Sequence, residues 1–368
     1  MNSTALSRTA LYDEHVALGA RIVPFASFEM PVQYAGILKE HRAVRERAGL
    51  FDLSHMAQYA LRGDGVPAWA DALTVNHVAT MKPFAARYNL FTNARGGVHD
   101  DVLFYRLPER FLLVVNGGNA AKMWPYLNES ARGRRDVALE TRHGKDALLA
   151  IQGPLATAIL APLTNVDVAA MKYYSCAEGT VAGVPAVVAR TGYTGEDGFE
   201  LFVASGDAPH LWRELLAHGR PLGLEPAGLG ARDVLRLEAG MPLYGFELAE
   251  DLSPLAGGQG WAVKYDKPDF IGRPALVAEH EANAYPRIAG LVMDGRVPAR
   301  GGYPVYADGA LAGTVKSASV APSLGGRNVA TALVVKDAAV PGTKLEVEIR
   351  GARHGATVVP LPFYSRRP

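Results

Sequence analysis

Two adjacent carboxylates, Asp100 and Asp101, stand in a segment whose residue pattern predicts two strands joined by a tight turn. Side chains alternate in character from Tyr88 to Thr92, and Gly96-Gly97 can supply the positive φ that a hairpin turn needs. Because successive side chains on a strand point to opposite faces, only one of the two carboxylates can face a pocket. The pattern argues against a two-carboxylate acid–base pair and favours one buried acid that acts alone.

A further carboxylate, Glu200, ends the turn-rich segment Arg190–Leu201, which reads RTGYTGEDGFEL. The glycine spacing is not GxGxxG and no P-loop lysine follows, so a nucleotide-phosphate site is excluded. Phe199 and Leu201 flank Glu200 in a predicted strand, where a carboxylate needs hydrogen-bond donors. Two sources fit. One is an internal arginine, and the other is a ligand with two parallel N–H groups, such as the edge of a 2-aminopyrimidinone ring.

Arg232 and Arg236 are one turn apart in a helix that is predicted to open at Pro226 and to run to Gly240. Two guanidinium groups on one helix face could grip a substrate carboxylate. Salt bridges to nearby acids explain the pair as well, and the spacing alone favours them.

The other reactive residue types form no recognisable site. Met56 follows His55 in the run FDLSHM and could line an apolar pocket, whereas His55 belongs to no HExxH or other metal pattern. There is no GxSxG elbow, and Cys176 has no activating context. The residues alone predict an enzyme without a metal site, with one lone acid and a carboxylate suited to a nitrogen-rich ring.

Composition fits this class of protein. The 368 residues are 49% hydrophobic and 20% charged, which is enough for two or three cores of a soluble enzyme. A net charge of +1 gives no sign of nucleic-acid binding. The single Cys176 excludes an internal disulfide and fits a reducing cytoplasm. We expect no secretory signal at the N-terminus. We also expect no membrane segment, because the least polar stretch, Ala147–Leu163, is interrupted by prolines.

Periodicity and turn residues predict the elements that hold these groups, and no fixed-period repeat is visible. After about Tyr285, short alternating segments broken by glycine turns such as Asp308-Gly309 predict a small β-barrel domain, with a boundary near Glu279–Pro286. The other expected elements are a helix over Tyr34–Leu50 with His41 packed in its core face, mainly strands over Phe51–Val115, a solvated connection over Ser130–Lys145, a strand over Ala147–Ile151 followed by a helix near Pro154, and a helix capped by Asp207.

Taken together, these segments resemble the T-protein of the glycine cleavage system, an aminomethyltransferase family that uses tetrahydrofolate. The resemblance runs in one register from about Leu11 to Tyr364. It departs from the family pattern at Ala57-Gln58, Gly258-Gln259 and Lys316–Ser319. It rests on Met30–Tyr34, Gly49–Met56, Leu90–Asn93 with Gly96-Gly97 and Asp100-Asp101, Gln152–Pro154, Arg190–Glu200, Gly230–Gly240, Gly260-Trp261 and Leu361–Tyr364.

The resemblance implies an α+β fold with three domains arranged as a ring around a central hole that holds the folate. Residues 1–50 and 140–278 would form the first part of the folate-binding domain and residues 51–139 the second part. Residues 285–368 would form the C-terminal β-barrel. It also implies a monomer that associates transiently with its partners.

The implied reaction passes a one-carbon unit from the aminomethylated lipoyl arm of the H-protein to tetrahydrofolate. It releases ammonia and gives 5,10-methylenetetrahydrofolate. The family's essential acid matches Asp101, and its pterin-binding carboxylate matches Glu200. The remaining residues expected to bind the folate are Met56, Tyr88, Tyr105, Asn116, Arg232 and Tyr364.

Two other functions remain open on the same fold. One is a folate-dependent demethylase of a small methylated donor, and the other is a non-catalytic folate-binding protein of the iron–sulfur assembly type. The surface that docks the H-protein is also open. Arg42, Arg45 and Arg47 are one candidate patch, although a solvated helix face explains them better.

Overall fold

The computed structural model describes residues 6–366, and their contacts divide them into two compact units. The first unit comprises residues 6–69, Val78–Tyr88 and Val102–Asp233. The second comprises Ala70–His77, Asn89–Asp101 and residues 234–366. Among the described residues, no helix is long and apolar enough to cross a membrane.

Helices and strands alternate along the first three quarters of the chain. The helices are α1 Tyr12–Ala17, α2 Ile37–Glu46, α3 Val66–Leu73, α4 Ala120–Ser130, α5 Ala156–Leu160, α6 Ala208–Gly219, α7 Leu229–Glu238 and α8 Arg273–Ala282. The strands before the barrel are β1 Ser7–Arg8, β2 Arg21–Phe25, β3 Phe28–Gln33, β4 Ala48–Asp52, β5 Ala57–Arg62, β6 Ala86–Thr92, β7 Val98–Arg106, β8 Phe111–Val115, β9 Ala138–Thr141, β10 Asp146–Gln152, β11 Cys176–Val181, β12 Val184–Ala189, β13 Gly198–Ala204 and β14 Leu224–Pro226.

Two of the sheets repeat one design. One has the strand order β6-β7-β8-β5-β9, and the other has the order β11-β12-β13-β10-β4-β14. Ala60 on β5 lies between Leu112 and Glu140, and Ala150 on β10 lies between Glu200 and Phe51. The chain therefore contains a structural repeat that its residue types do not reveal.

Hydrogen bonds around Phe84 and Tyr174 show how closely the two halves match. Both residues have a positive φ, at 64° and 62°. The N–H of Phe84 donates to the carbonyl of Arg106 at 2.6 Å, and the N–H of Tyr174 donates to that of Arg190 at 2.9 Å. Cys176 N–H donates to Phe84 at 2.8 Å, and Ala86 N–H donates to Tyr174 at 2.9 Å. Each contact thus has a counterpart, as a local two-fold relation between the halves requires.

The C-terminal region is a closed barrel with the strand order β15-β18-β17-β16-β19-β20. Small and branched side chains such as Ala332, Val347 and Val358 fill its interior. The α+β class and the C-terminal barrel are confirmed, and the predicted hairpin at Asp308-Gly309 joins β16 to β17. The barrel strands are β15 Arg287–Met293, β16 Pro304–Ala307, β17 Ala310–Ala321, β18 Arg327–Val334, β19 Lys344–Ile349 and β20 Ala352–Val359.

Several predicted boundaries are wrong. The helix expected over Tyr34–Leu50 is only Ile37–Glu46, because pairing with β10 and β14 draws residues 48–52 into the buried strand β4. Strands predominate over Phe51–Val115, as predicted, although this region also contains helix α3, and the connection predicted over Ser130–Lys145 contains the edge strand β9.

Other errors and successes concern single residues. Pro226 ends β14 rather than opening α7, which begins at Leu229. Asp207 precedes α6, but its side chain makes no capping hydrogen bond. His41 is buried, as expected of a packed core histidine, and the strand at Ala147–Ile151 with the helix after Pro154 is confirmed.

Glu40 should be a main determinant of the stability of the first unit. Its buried carboxylate accepts the N–H groups of Tyr34 at 2.6 Å, Gly36 at 2.9 Å and Gly228 at 2.9 Å. Glu40→Ala leaves these N–H groups without their acceptor, so the free energy of unfolding should fall by roughly 2–4 kcal/mol. Urea denaturation measures the change. Glu46→Ala, at an exposed site on the same helix, is the control and should cost less than about 0.5 kcal/mol. Equal losses in the two variants would contradict this account.

Candidate active site

The Glu200 carboxylate is the centre of the polar cluster in the first unit. It lies on β13 with an exposed fraction of 7%. The hydroxyl of Tyr105 on β7 donates to its Oε2 at 2.8 Å, and that of Thr191 donates to the same oxygen at 2.6 Å. Burial, with the nearby Glu200 charge, raises the pKa of Tyr105 well above its ordinary value and keeps this donor protonated. Two hydroxyl groups thus hold the carboxylate, and no arginine within residues 6–366 does.

The other carboxylate oxygen, Oε1, is not held in this way. Oε1 of Glu200 accepts no hydrogen bond from residues 6–366, the part of the chain that is described. Glu200 lines a narrow pocket in the first unit, so Oε1 is the acceptor that a ligand would meet there. The other residues around this pocket are Phe51, Leu53, Ala150, Gln152, Tyr193, Thr194 and Arg232.

The glycine-rich loop before Glu200 is shaped by the buried side chain of Gln152. The Gln152 amide donates to the Thr191 carbonyl at 3.0 Å and accepts the Thr194 hydroxyl at 3.0 Å. A Cβ atom at Gly192 would lie 2.0 Å from Gln152 Oε1, so only glycine lets the loop pass this side chain. The segments Gln152–Pro154 and Arg190–Leu201 therefore pack against each other.

Ion pairs fasten the same loop at both ends. Arg190 forms a bidentate pair with Asp197 at 2.9 and 2.6 Å. Arg45 contacts Glu196 at 2.9 Å and donates to the Thr194 carbonyl at 2.6 Å. Arg45 is thus committed inside the fold and cannot belong to an exposed docking patch on α2.

Arg232 lies beside a tyrosine and a neutral histidine. Its guanidinium stands 4.4 Å from the ring centre of Tyr193. Burial, and after it the charge of Arg232, lower the pKa of His55 to about 3. His55 is therefore neutral near pH 7 and adds no positive charge beside Arg232.

Arg236 does not join Arg232 at this pocket. It is buried in the second unit, where it pairs with Glu247 at 3.1 Å and donates to the Ser317 hydroxyl at 2.8 Å. The interpretation of two arginines gripping one substrate carboxylate is therefore wrong for this residue. The salt-bridge alternative is right, because the helix turns this side chain into the protein.

The two adjacent aspartates point to opposite faces of β7, as predicted. Asp100 is fully buried and Asp101 is half-buried. The turn before them has Gly96 at a φ of 83°. Asp101 and Tyr364 belong to the second unit, and the backbone N–H of Tyr364 donates to the Glu238 carbonyl at 2.7 Å.

The other predicted folate contacts, Met56, Tyr88 and Asn116, are half-buried residues of the first unit. The structural repeat gives each of them a counterpart at the same strand position. By the strand registers these counterparts are Asp146, Glu178 and Ala204, and the counterpart of Glu200 is Leu112.

These four counterparts line one cavity of about 490 Å³ in the first unit. In this half of the repeat, the four counterpart positions therefore surround a single cavity. Ordinary ligand sites have volumes in this range.

Sequence reasoning named Tyr105 only as a folate contact, which the resemblance implied, and it did not name Thr191 or Tyr193 as site residues. Thr191 and Tyr105 hold Glu200, and Tyr193 lies under Arg232. Thr191 could have been suspected from the sequence, because it lies in the same turn-rich segment as Glu200. The strand alternation could not show that both hydroxyls meet one oxygen.

Comparisons with known proteins give the chain full-length relatives. A family model described as the GCVT N-terminal domain matches residues 11–267, and one described as the glycine cleavage T-protein C-terminal barrel domain matches residues 287–365. A protein named aminomethyltransferase from Moorella thermoacetica is 48% identical over 98% of each chain. A Streptomyces coelicolor protein of that name is 48% identical over 100% of each chain. The crystal structure of glycine cleavage system aminomethyltransferase T from Bartonella henselae matches with a TM-score of 0.91, at 34% identity over 98% of this chain and 99% of that chain.

His55 should make the folded protein sensitive to acid. Its pKa is about 3 in the fold against 6.5 ordinarily, so between these values the unfolded chain binds a proton that the folded chain does not. The contribution is complete above about pH 6.5 and is lost as the pH falls towards 3, by roughly 1.4 kcal/mol per pH unit at most. Denaturation at about pH 7 and pH 4.5 should therefore show a larger loss in the parent than in His55→Gln. Equal losses would contradict the assignment.

Proposed function

Since the chain belongs to the glycine cleavage T-protein family of aminomethyltransferases and is a transferase, we propose that it acts on the aminomethylated lipoyl arm of the H-protein. It moves the one-carbon unit to tetrahydrofolate, gives 5,10-methylenetetrahydrofolate and releases ammonia. The protein is a cytoplasmic monomer that meets the H-protein transiently. Residues 1–50 with 140–278, residues 51–139 and residues 285–368 are its three domains.

The observation that carries this proposal is the arrangement of Glu200. Its Oε2 is already held by two hydroxyls, whereas its Oε1 faces the pocket without a protein donor among residues 6–366. A buried anionic acceptor is expensive unless a donor reaches it. The 2-amino-4-oxo edge of a reduced pterin offers adjacent N–H donors that suit this oxygen.

Arg232 lines the same pocket and supports the same ligand. A pterin edge carries a carbonyl oxygen beside its N–H groups, and a guanidinium is a suitable donor to it. The positive charge of Arg232 and the negative charge of Glu200 line one pocket, so the site matches a ring with both donors and an acceptor. Met56, Tyr88, Tyr105, Asn116 and Tyr364 complete the folate site.

Asp101 is the catalytic acid–base residue of this proposal. It orients the folate and accepts the proton that is released when the folate nitrogen bonds the aminomethyl carbon. Over the whole reaction this carbon gains bonds to two folate nitrogens and loses its bonds to the amino nitrogen, which leaves as ammonia, and to the lipoyl sulfur, which leaves as the thiol. Its half-buried position on β7, on the face opposite to the buried Asp100, leaves its carboxylate accessible. Proximity of the two substrates supplies the larger part of the rate.

Turnover with aminomethylated H-protein and tetrahydrofolate tests this function. The parent should produce equal amounts of ammonia and methylenetetrahydrofolate. Asp101→Asn removes the proton acceptor but keeps the shape, so kcat should fall by about 10²–10⁴-fold, while folate binding measured by titration stays within about threefold. Asp64→Asn, at an exposed site, is the matched control and should keep full activity.

Two results would overturn parts of this account. Full turnover by Asp101→Asn would remove that residue from the chemistry. Folate binding by the parent without turnover of the H-protein substrate would reject the proposed donor. A screen of small methylated donors would then test the demethylase function.

A further inference from the structure

We propose that Thr191 is a positioning residue that fixes the Glu200 carboxylate for its ligand, so that recognition passes through Oε1 alone. This inference rests on the proposed function, because it takes the ligand to be the pterin ring of tetrahydrofolate. It assigns a role to a side chain that lies behind the pocket wall.

Two donors meet at one oxygen of the Glu200 carboxylate. The Thr191 hydroxyl donates to Glu200 Oε2 at 2.6 Å, and the Tyr105 hydroxyl donates to that oxygen at 2.8 Å. The two hydroxyl oxygens lie 3.2 Å apart, so they approach Oε2 side by side. Together they satisfy two acceptor positions of this oxygen and stabilise the ionised carboxylate.

These two donors are fixed in place. Thr191 is 1% exposed and Tyr105 is fully buried. The backbone carbonyl of Thr191 accepts the Gln152 amide at 3.0 Å, and the β-branched side chain of threonine has few rotamers. The carboxylate is thus held before any ligand arrives.

A carboxylate that is fixed in this way binds its ligand more tightly. A carboxylate that already has one fixed rotamer loses little entropy on binding. Its charge is stabilised in both the free and the bound enzyme, and the free oxygen is aimed at the pocket. Loss of the Thr191 hydroxyl should therefore weaken folate binding and leave the chemical step largely intact.

The experiment compares two variants at this position. Thr191→Val keeps the shape and removes the donor, and Thr191→Ser keeps the donor and removes a methyl group. The hydrogen bond is present with and without ligand, so its loss weakens binding only through the rotamer freedom that the carboxylate regains. Fixing such a side chain again on binding costs about 1–1.5 kcal/mol, so Thr191→Val should raise the Kd and KM for tetrahydrofolate about five- to tenfold. We expect kcat and the KM for the H-protein to change by less than about twofold. Thr191→Ser should restore the folate KM to within about threefold of the parent value.

The controls separate positioning from structure. Thr164 also donates through a hydroxyl, to the Thr180 carbonyl at 2.7 Å, and lies outside the pocket. Thr164→Val should leave the folate KM unchanged, and thermal unfolding identifies any variant that fails to fold. In that case Thr191→Ala, which also removes the hydroxyl and is compared with Thr191→Ser, supplies the test and should also raise the folate KM alone.

Each remaining outcome decides the matter. An unchanged folate KM in well-folded Thr191→Val, or no restoration by Thr191→Ser, would overturn the positioning role while leaving the proposed function intact. A parent protein that neither binds nor turns over tetrahydrofolate would reject the proposed function, and this inference with it.

Discussion

A carboxylate buried between strands must find hydrogen-bond donors, and this requirement organises the site around Glu200. The fold supplies two donors to one oxygen, the hydroxyls of Tyr105 and Thr191, and leaves the other oxygen facing the pocket. The loop that carries Thr191 is in turn held by Gln152 and by the Arg190–Asp197 pair. A long run of polar and glycine residues thus serves one purpose, to keep a single charge in place without neutralising it.

The structural repeat gives this site its frame. The two halves share strand order, register and the hydrogen bonds around Phe84 and Tyr174, yet their side chains differ where ligands would bind. Leu112 stands where the other half has Glu200. One backbone design therefore presents two chemically different surfaces, because a sheet fixes positions while its side chains remain free to vary.

Much of the fold could be predicted because it follows local rules. Strand alternation and the turn at Asp308-Gly309 predicted the barrel hairpin, and the opposite faces of Asp100 and Asp101 followed from strand geometry. Errors arose where distant pairing decided the outcome, as when Ala48 left the helical pattern to join a buried strand. The role of Thr191 and the fate of Arg236 could not be predicted, since each depends on a partner far away in the sequence.

The most direct test of the central claim is a crystal structure of the protein with tetrahydrofolate bound. The account predicts the 2-amino edge of the pterin within hydrogen-bond distance of Glu200 Oε1, with the Tyr105 and Thr191 hydroxyls still on Oε2. A pterin ring bound elsewhere, for example in the cavity beside Leu112, would contradict it.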